Sequence, residues 1–335
     1  MGFANPFKEI VMVRFPLMLT AALLCGMAGA QVPKVQTVTG NLENPWGVTF
    51  LPEGRFLVTE RPGRLRVVEA DGKLGEPVTG LPEIRSGGQG GLLDVAADTG
   101  FARNRTIYFC FSEPGQGGAG TALASAKLAA DLKRLEDVKV IFSQKPKVGG
   151  GNHWGCRVVE ARDGTLFLTL GDRFSYMANA QTLDNHHGKV VRIAKDGTVP
   201  RDNPFVKRAG ALPEIWSYGH RNMQGATLAP DGELWTHEHG AQGGDEINRP
   251  KAGLNYGWPV ITHGENYGGG KIGEGTAKVG MEQPLHYWVP SIAPSGMAFL
   301  TSDRYGAAWK GNLFIGSLKF QYLDRIEIVG GKVAR

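Results

Sequence analysis
The chain has 335 residues, 41% hydrophobic and 21% charged, enough for one large domain or two ordinary ones. Its 49 glycines and 19 prolines make up about a fifth of the residues, high for a helical protein and below the disordered range. The formal charge of +5 is spread without a dense Lys/Arg block or basic helix, which argues against nucleic acid as a partner and leaves a surface suited to anionic ligands.

In chain order, the first element is an export signal. Lys8 and Arg14 precede the apolar run FPLMLTAALLCGMAGA, which ends at Ala28-Gly29-Ala30, an A-x-A-like cleavage site. The run is short of the about 20 apolar residues a membrane helix needs, and Leu24 before Cys25 makes a poor lipidation site. Residues 1–30 are therefore expected to be a secretory signal peptide and residues 31–335 the mature domain. No later run could span a bilayer, so a soluble periplasmic protein without stable membrane insertion is expected. Of the cysteines left, Cys110 and Cys156 lie in apolar strand-like runs without metal-site spacing, and free buried thiols are favoured over a disulfide.

From there on helical periodicity is nearly absent. ALASAKLAADLKRLEDV looks amphipathic, but a strand followed by a polar turn fits it as well. Elsewhere short apolar runs are broken by Asp71-Gly72, Asp163-Gly164, Asp196-Gly197 and Asp231-Gly232, as in antiparallel hairpins. One unit recurs, opening at Trp46, Gly90, Trp154, Gln224 and Ser295. Each time an apolar strand, a polar loop and a second strand follow, and the second strands end at Glu60, Glu113, Asp172, Glu238 and Ser317. Such spacing predicts an all-β propeller of radially stacked sheets rather than a sandwich.

In a propeller the innermost strands line a central channel and their starts converge at one mouth. That convergence brings together Gln89, His153 in GGGNHWGCRVV, and Arg221-Asn222 in SYGHRNMQG. His153 is the candidate proton acceptor, since an imidazole titrates near neutral pH. Arg221 is a planar cation able to face an anion or a polarised carbonyl. Strand alternation turns His220 away from Arg221. Downstream, THEHGAQGGDEIN sets Asp245 and Glu246 after two glycines, a pattern suited to a hard cation. His237 and His239 share a strand face, but no third ligand follows at telling spacing, so calcium is favoured over zinc. The glycine-rich stretch from Glu265, ENYGGGKIGEG, is expected to shape the entrance.

Taken together, NPWGVTFLPEGRFLVTERPGRL, GGQGGLLDVA, NHWGCRVV, YGHRNMQG, HEHGAQGGDEIN, NYGWP, SGMAF and LFIGSLK resemble the glucose/sorbosone dehydrogenase family. The resemblance is strongest to its soluble aldose sugar dehydrogenases, which use pyrroloquinoline quinone (PQQ), and runs from about Val35 to the end. It implies a six-bladed propeller, PQQ at the channel mouth, calcium, an aldose oxidised at C1 to the lactone, and a separate electron acceptor. His153 matches the general base. Arg221 and Asn222 match the contacts to the quinone carbonyl region; Gln89, Tyr267 and Lys319 match further cofactor contacts. Gly240 and Ala241 stand where main-chain carbonyls hold the cofactor's calcium, with Ala241 in place of a frequent proline. Glu246 and Tyr256 match a second calcium site. The family's last blade carries an arginine pair for the PQQ carboxylates, and no counterpart precedes Arg335, so the last blade is expected to be incomplete here. A calcium-dependent lactonase-like hydrolase and a non-catalytic sugar- or protein-binding propeller are the alternatives.

Overall fold
The computed structural model describes residues 34–334, so the expected signal peptide lies outside the described residues. Five blade-like antiparallel sheets follow one another. The first holds β1 (Pro45–Phe50), β2 (Phe56–Glu60), β3 (Arg64–Val68) and β4 (Leu74–Pro77). The second holds β5 (Leu92–Ala97), β6 (Thr106–Gly115), β7 (Gly118–Leu128) and β8 (Leu135–Ser143). The third holds β9 (Gly155–Glu160), β10 (Leu166–Leu170), β11 (Lys189–Ile193) and β12 (Ile215–Tyr218). The fourth holds β13 (Met223–Leu228), β14 (Leu234–Glu238), β15 (Asp245–Asn248) and β16 (His286–Trp288). The fifth has only β17 (Pro294–Phe299), β18 (Leu313–Ser317) and β19 (Leu323–Ile326), and a hairpin of β20 (Ile328–Val329) and β21 (Lys332–Val333) follows. The protein is thus an all-β propeller with five blades among the described residues. The expected count of six is corrected accordingly: two strands of two residues are too short to make a blade. The ambiguous ALASAKLA run is strand β7, followed by a turn.

Alternation explains the packing. Along β6, Phe109 and Phe111 face the first blade with Leu57 and Leu65, while Tyr108 and Cys110 face the third with Val158 and Leu168. Trp235 and Ile247 of the fourth blade meet Phe299, Leu313 and Ile315 of the fifth in the same way. A middle blade is therefore apolar on both faces, and its strands read as unbroken hydrophobic runs.

Neighbouring inner strands pack in the order β1, β5, β9, β13, β17. Each carries one extra residue against its second strand, a bulge near its start: between Pro45 and Val48, Leu92 and Val95, Gly155 and Val158, Met223 and Gly225, and Pro294 and Met297. Bulges bend a strand and re-aim its side chains. Here they turn every strand start toward the same mouth.

The expectation of free thiols is also corrected, because Cys110 and Cys156 form a disulfide with their Cα atoms 5.9 Å apart. Alternation aims Cys110 at the third blade, and the left-handed backbone of Cys156 within the β9 bulge, φ 83°, aims its sulfur back. The bond ties two blades across 46 residues of sequence, and loops of that size yield about 2–4 kcal/mol. Reduction, or Cys110→Ser, is expected to lower the melting temperature by several degrees. Non-reducing peptide mapping that finds both thiols alkylatable in the native protein would contradict the bond.

Candidate active site
The site begins with Asp172, two residues beyond the end of β10. Its Oδ1 lies 2.6 Å from His153 Nδ1 and accepts the Phe174 N–H at 2.8 Å, and its Oδ2 accepts the Trp258 indole N–H at 2.7 Å. A carboxylate with this set of donors only accepts, so the His153 proton sits on Nδ1 and Nε2 keeps its lone pair. The imidazole is buried with its edge against Phe174, centroids 5.2 Å apart. Burial is the main influence on it and pushes its pKa below the ordinary 6.5; Asp172 opposes that, and the charges of Arg221 and Arg173 add to it. His153 is thus a neutral base at pH 7.

Two features hold this ring in place. Gln89 Oε1 accepts the His153 main-chain N–H at 2.8 Å. The Arg173 Cζ lies over the Trp154 indole, 3.3 Å from its centroid, and the guanidinium donates to the carbonyls of Gly150 and Asn152, both at 2.8 Å. His153 has a left-handed backbone, φ 53°, as do Arg173 and Phe174, φ 60° and 63°. Side-chain-bearing residues rarely adopt this region unless their surroundings enforce it. The triple glycine before Asn152 lets the chain loop back under the Arg173 guanidinium, with Gly150 itself at φ 90°.

Arg221 comes from the next blade. Its main-chain N–H donates to Glu238 Oε2, and its carbonyl accepts the Asp172 N–H at 2.8 Å. Its guanidinium donates to the His239 carbonyl at 3.0 Å and to the Tyr267 hydroxyl at 3.3 Å, while its buried Nε has no protein partner among the described residues. Asn222 Oδ1 accepts the Gly155 N–H at 3.2 Å. Gln89, Asn222, Trp154, His239 and Arg61 line a chamber of about 290 Å³. Of the expected residues, Gln89 and Asn222 share the chamber wall, Gln89 bonds His153, Asp172 links His153 to the Arg221 carbonyl, and Arg221 bonds Tyr267. Lys319 is not brought to them: it is exposed, with its ammonium over the neighbouring Phe320 ring at 5.0 Å.

The cation candidates divide. Asp245 Oδ1 accepts from Gly240 N at 2.9 Å, and its Oδ2 accepts from the Ser291 hydroxyl and the N–H groups of Ile292 and Ala293 at 2.7–2.9 Å, so it braces two loops. A Cβ on Gly240 would come 2.1 Å from the Gly243 carbonyl oxygen, so only glycine fits this turn, which Ala241 continues. Glu246 is different. Burial first, and then the charge of Glu238, push its pKa up to about 8. With Glu238 and Tyr256 it lines a small cavity of about 10 Å³, the room of one small sphere. His237 and His239 turn to the carbonyls of Ser295 and Pro294. No set of three or more His, Cys, Asp or Glu side chains converges as metal ligands among the described residues. His220 bonds Ser217 at 2.9 Å and Glu238 at 3.0 Å in a fully buried cluster closed to substrate.

The sequence reading missed Asp172, Arg173 and Trp258 as site residues. The signal for Asp172 was present, because it closes the second strand of the very unit that His153 opens.

Fold and site define a β-propeller with a histidine–aspartate pair and a buried arginine at the mouth of its channel. The chain belongs to the glucose/sorbosone dehydrogenase family, whose sequence model matches residues 42–335. The aldose sugar dehydrogenase YliI of Escherichia coli (strain K12) is 45% identical over 304 residues, 89% of this chain and 81% of that protein. A glucose dehydrogenase crystal structure superposes with a TM-score of 0.88 at 48% identity, covering 90% of this chain and 88% of that one. The PQQ-bound aldose sugar dehydrogenase of Streptomyces coelicolor superposes with a TM-score of 0.73 at 27% identity, covering 90% and 82%.

A folded pKa below 6.5 means that the unfolded chain binds the His153 proton more readily. The associated stability is present above pH 6.5 and is lost as the pH falls from there through the folded value. NMR titration is expected to place His153 below 6.5, and Asp172→Asn is expected to lower it further, because the carboxylate favours the cation. A wild-type value at or above 6.5 would contradict the dominance of burial.

Proposed function
We propose that the chain is a PQQ-dependent dehydrogenase that oxidises aldoses at C1 to the lactone. The observation that carries this proposal is the neutral His153, held by Asp172 with Nε2 available, beside the buried Arg221. The dehydrogenase names of its relatives and the PQQ bound in the Streptomyces protein support it.

The chain's own residues fit such a cofactor. PQQ is flat and anionic; the chamber offers the indoles of Trp46 and Trp154, the amides of Gln89, Asn222 and Gln224, and the cation of Arg61. Arg221 has a buried N–H without a protein partner, as a guanidinium awaiting an acceptor would. When bound, PQQ supplies the two-electron quinone acceptor for the hydride from sugar C1. His153 Nε2 takes the proton of the anomeric hydroxyl, worth about 10²–10⁴ in rate. Asp172 keeps the ring oriented and stabilises the imidazolium that forms. Arg221 and Asn222 face the negative charge that develops on the acceptor side. Tyr267 holds the outer nitrogen of Arg221. Lys319 would reach the cofactor only after leaving Phe320.

Calcium fits two places. The Gly240–Ala241 turn offers main-chain carbonyls to a cofactor-bound ion. Glu246 offers a buried carboxylate whose charge is otherwise opposed by Glu238, a conflict that a divalent cation would remove. The Tyr256 hydroxyl already bonds the Arg249 carbonyl and the Lys251 N–H, so its ligand atom there would be the main-chain oxygen. The disulfide suits an oxidising compartment and, with the export signal expected from the N-terminal sequence, supports a periplasmic location. Electrons pass on to a separate acceptor.

Reconstitution with PQQ and calcium, followed by an aldose screen with a dye acceptor, tests the assignment. Lactone is expected to form only with PQQ. His153→Asn should cut kcat by about 10²–10⁴ while PQQ still binds, and Asp172→Asn should also cut it by a large factor. Lactone hydrolysis without PQQ, or full activity in His153→Asn, would overturn the proposal.

A further inference from the structure
One guanidinium in the central passage joins the inner strands of four blades. Arg157 projects from β9. Its Nε donates to the Gln224 carbonyl of β13 at 2.7 Å, and its Nη1 bonds Asp94 of the β5 blade at 3.2 Å. Its Cζ lies over the Trp46 indole of β1, 4.0 Å from the centroid. Asp94 is fixed in turn, since its second oxygen accepts the Val158 N–H at 3.0 Å. Gly47 leaves it room: a Cβ there would stand 2.9 Å from Asp94 Oδ1.

The height of this cluster in the channel gives it a role. Trp46 and Gln224 line both the chamber at the mouth, about 290 Å³, and the passage beneath it, about 600 Å³; Arg157 and Asp94 line only the passage. Trp46 and Gln224 are therefore the floor of the chamber, and Arg157 supports both from below. Gln224 continues upward, its Nε2 donating to Asn222 Oδ1 at 3.1 Å. We propose that Arg157 is a positioning residue for the cofactor: it holds the Trp46 ring and, through Gln224, the Asn222 amide in the geometry that receives PQQ. The proposal rests on the assignment of PQQ to the chamber. Only a planar, multiply donating cation reaches a carbonyl, a carboxylate and an aromatic face together; an ammonium on a flexible stem satisfies one or two.

The test is the PQQ affinity of the apo protein in calcium, measured by equilibrium dialysis, with folding followed by circular dichroism and thermal melting. Arg157→Lys keeps the charge opposite Asp94 and is expected to fold and to bind PQQ about tenfold more weakly. Arg157→Met should bind more weakly still, so that lysine is a partial rescue. Val67→Ala, a core change in the first blade away from the channel, serves as the control for stability loss alone and should keep wild-type affinity. Gln224→Ala removes the link to Asn222 but leaves the carbonyl that Arg157 uses, and should also weaken binding; because the Gln224 amide itself lines the chamber, the comparison of Arg157→Lys with Val67→Ala decides if Arg157→Met does not fold. Wild-type affinity in folded Arg157→Lys, or a loss in Val67→Ala equal to that in Arg157→Lys, overturns the proposal while the PQQ assignment stands. Failure of the wild-type protein to bind PQQ overturns both.

Discussion
The structure depends on a contact repeated in four of its five blades: a polar side chain at the end of the second strand holds the segment that enters the same blade's inner strand. Glu60 accepts the Glu43 N–H, Glu238 that of Arg221, Asp172 receives His153, and the Ser317 hydroxyl donates to the Ile292 carbonyl. The bulge at each strand start gives the entering segment the curvature to reach that side chain. Two neighbouring braces, Asp172 and Glu238, happen to present an imidazole and a guanidinium, and the Arg221 carbonyl bonds the Asp172 N–H to link them. The site is thus a specialised use of a contact the fold makes anyway.

Energetics follow from burial. A hydrogen bond to a charged group contributes about 1.5–3 kcal/mol, but stripping one partner from a buried charge costs about 3–5 kcal/mol. Asp172 therefore cannot lose His153 cheaply, and the left-handed backbone at His153, Arg173 and Phe174 persists because Asp172 and the Arg173 fork over-determine it. The same burial that makes the pair rigid keeps the imidazole neutral. Rigidity and neutrality have one cause.

Much of this was legible in the sequence, for physical reasons. Recurring glycine-led strand pairs announce the blades, and strand starts that share a mouth bring Gln89, His153, Arg221 and Asn222 together, because topology alone does so. Side-chain direction across blades was not legible. The Cys110–Cys156 bond needs a bulge whose backbone turns one sulfur back toward the other, and spacing carries no trace of that. Arg173 looks like an ordinary loop residue until it is seen over Trp154. Lys319 fits its motif and yet lies on Phe320, since a long exposed side chain follows its nearest neighbour. Asp172 was visible as a strand end, but its role appears only once it is known that such ends reach back to their own blade's entrance.

The central claim is that His153, Asp172 and Arg221 form one reaction centre at the channel mouth. A crystal structure of the protein with PQQ, calcium and a slow aldose tests it most directly. The account predicts the sugar's anomeric oxygen within hydrogen-bond reach of His153 Nε2, the His153–Asp172 contact intact, and the Arg221 guanidinium against the cofactor. Cofactor and sugar bound elsewhere on the ring, or a His153 ring turned away from them, would contradict it.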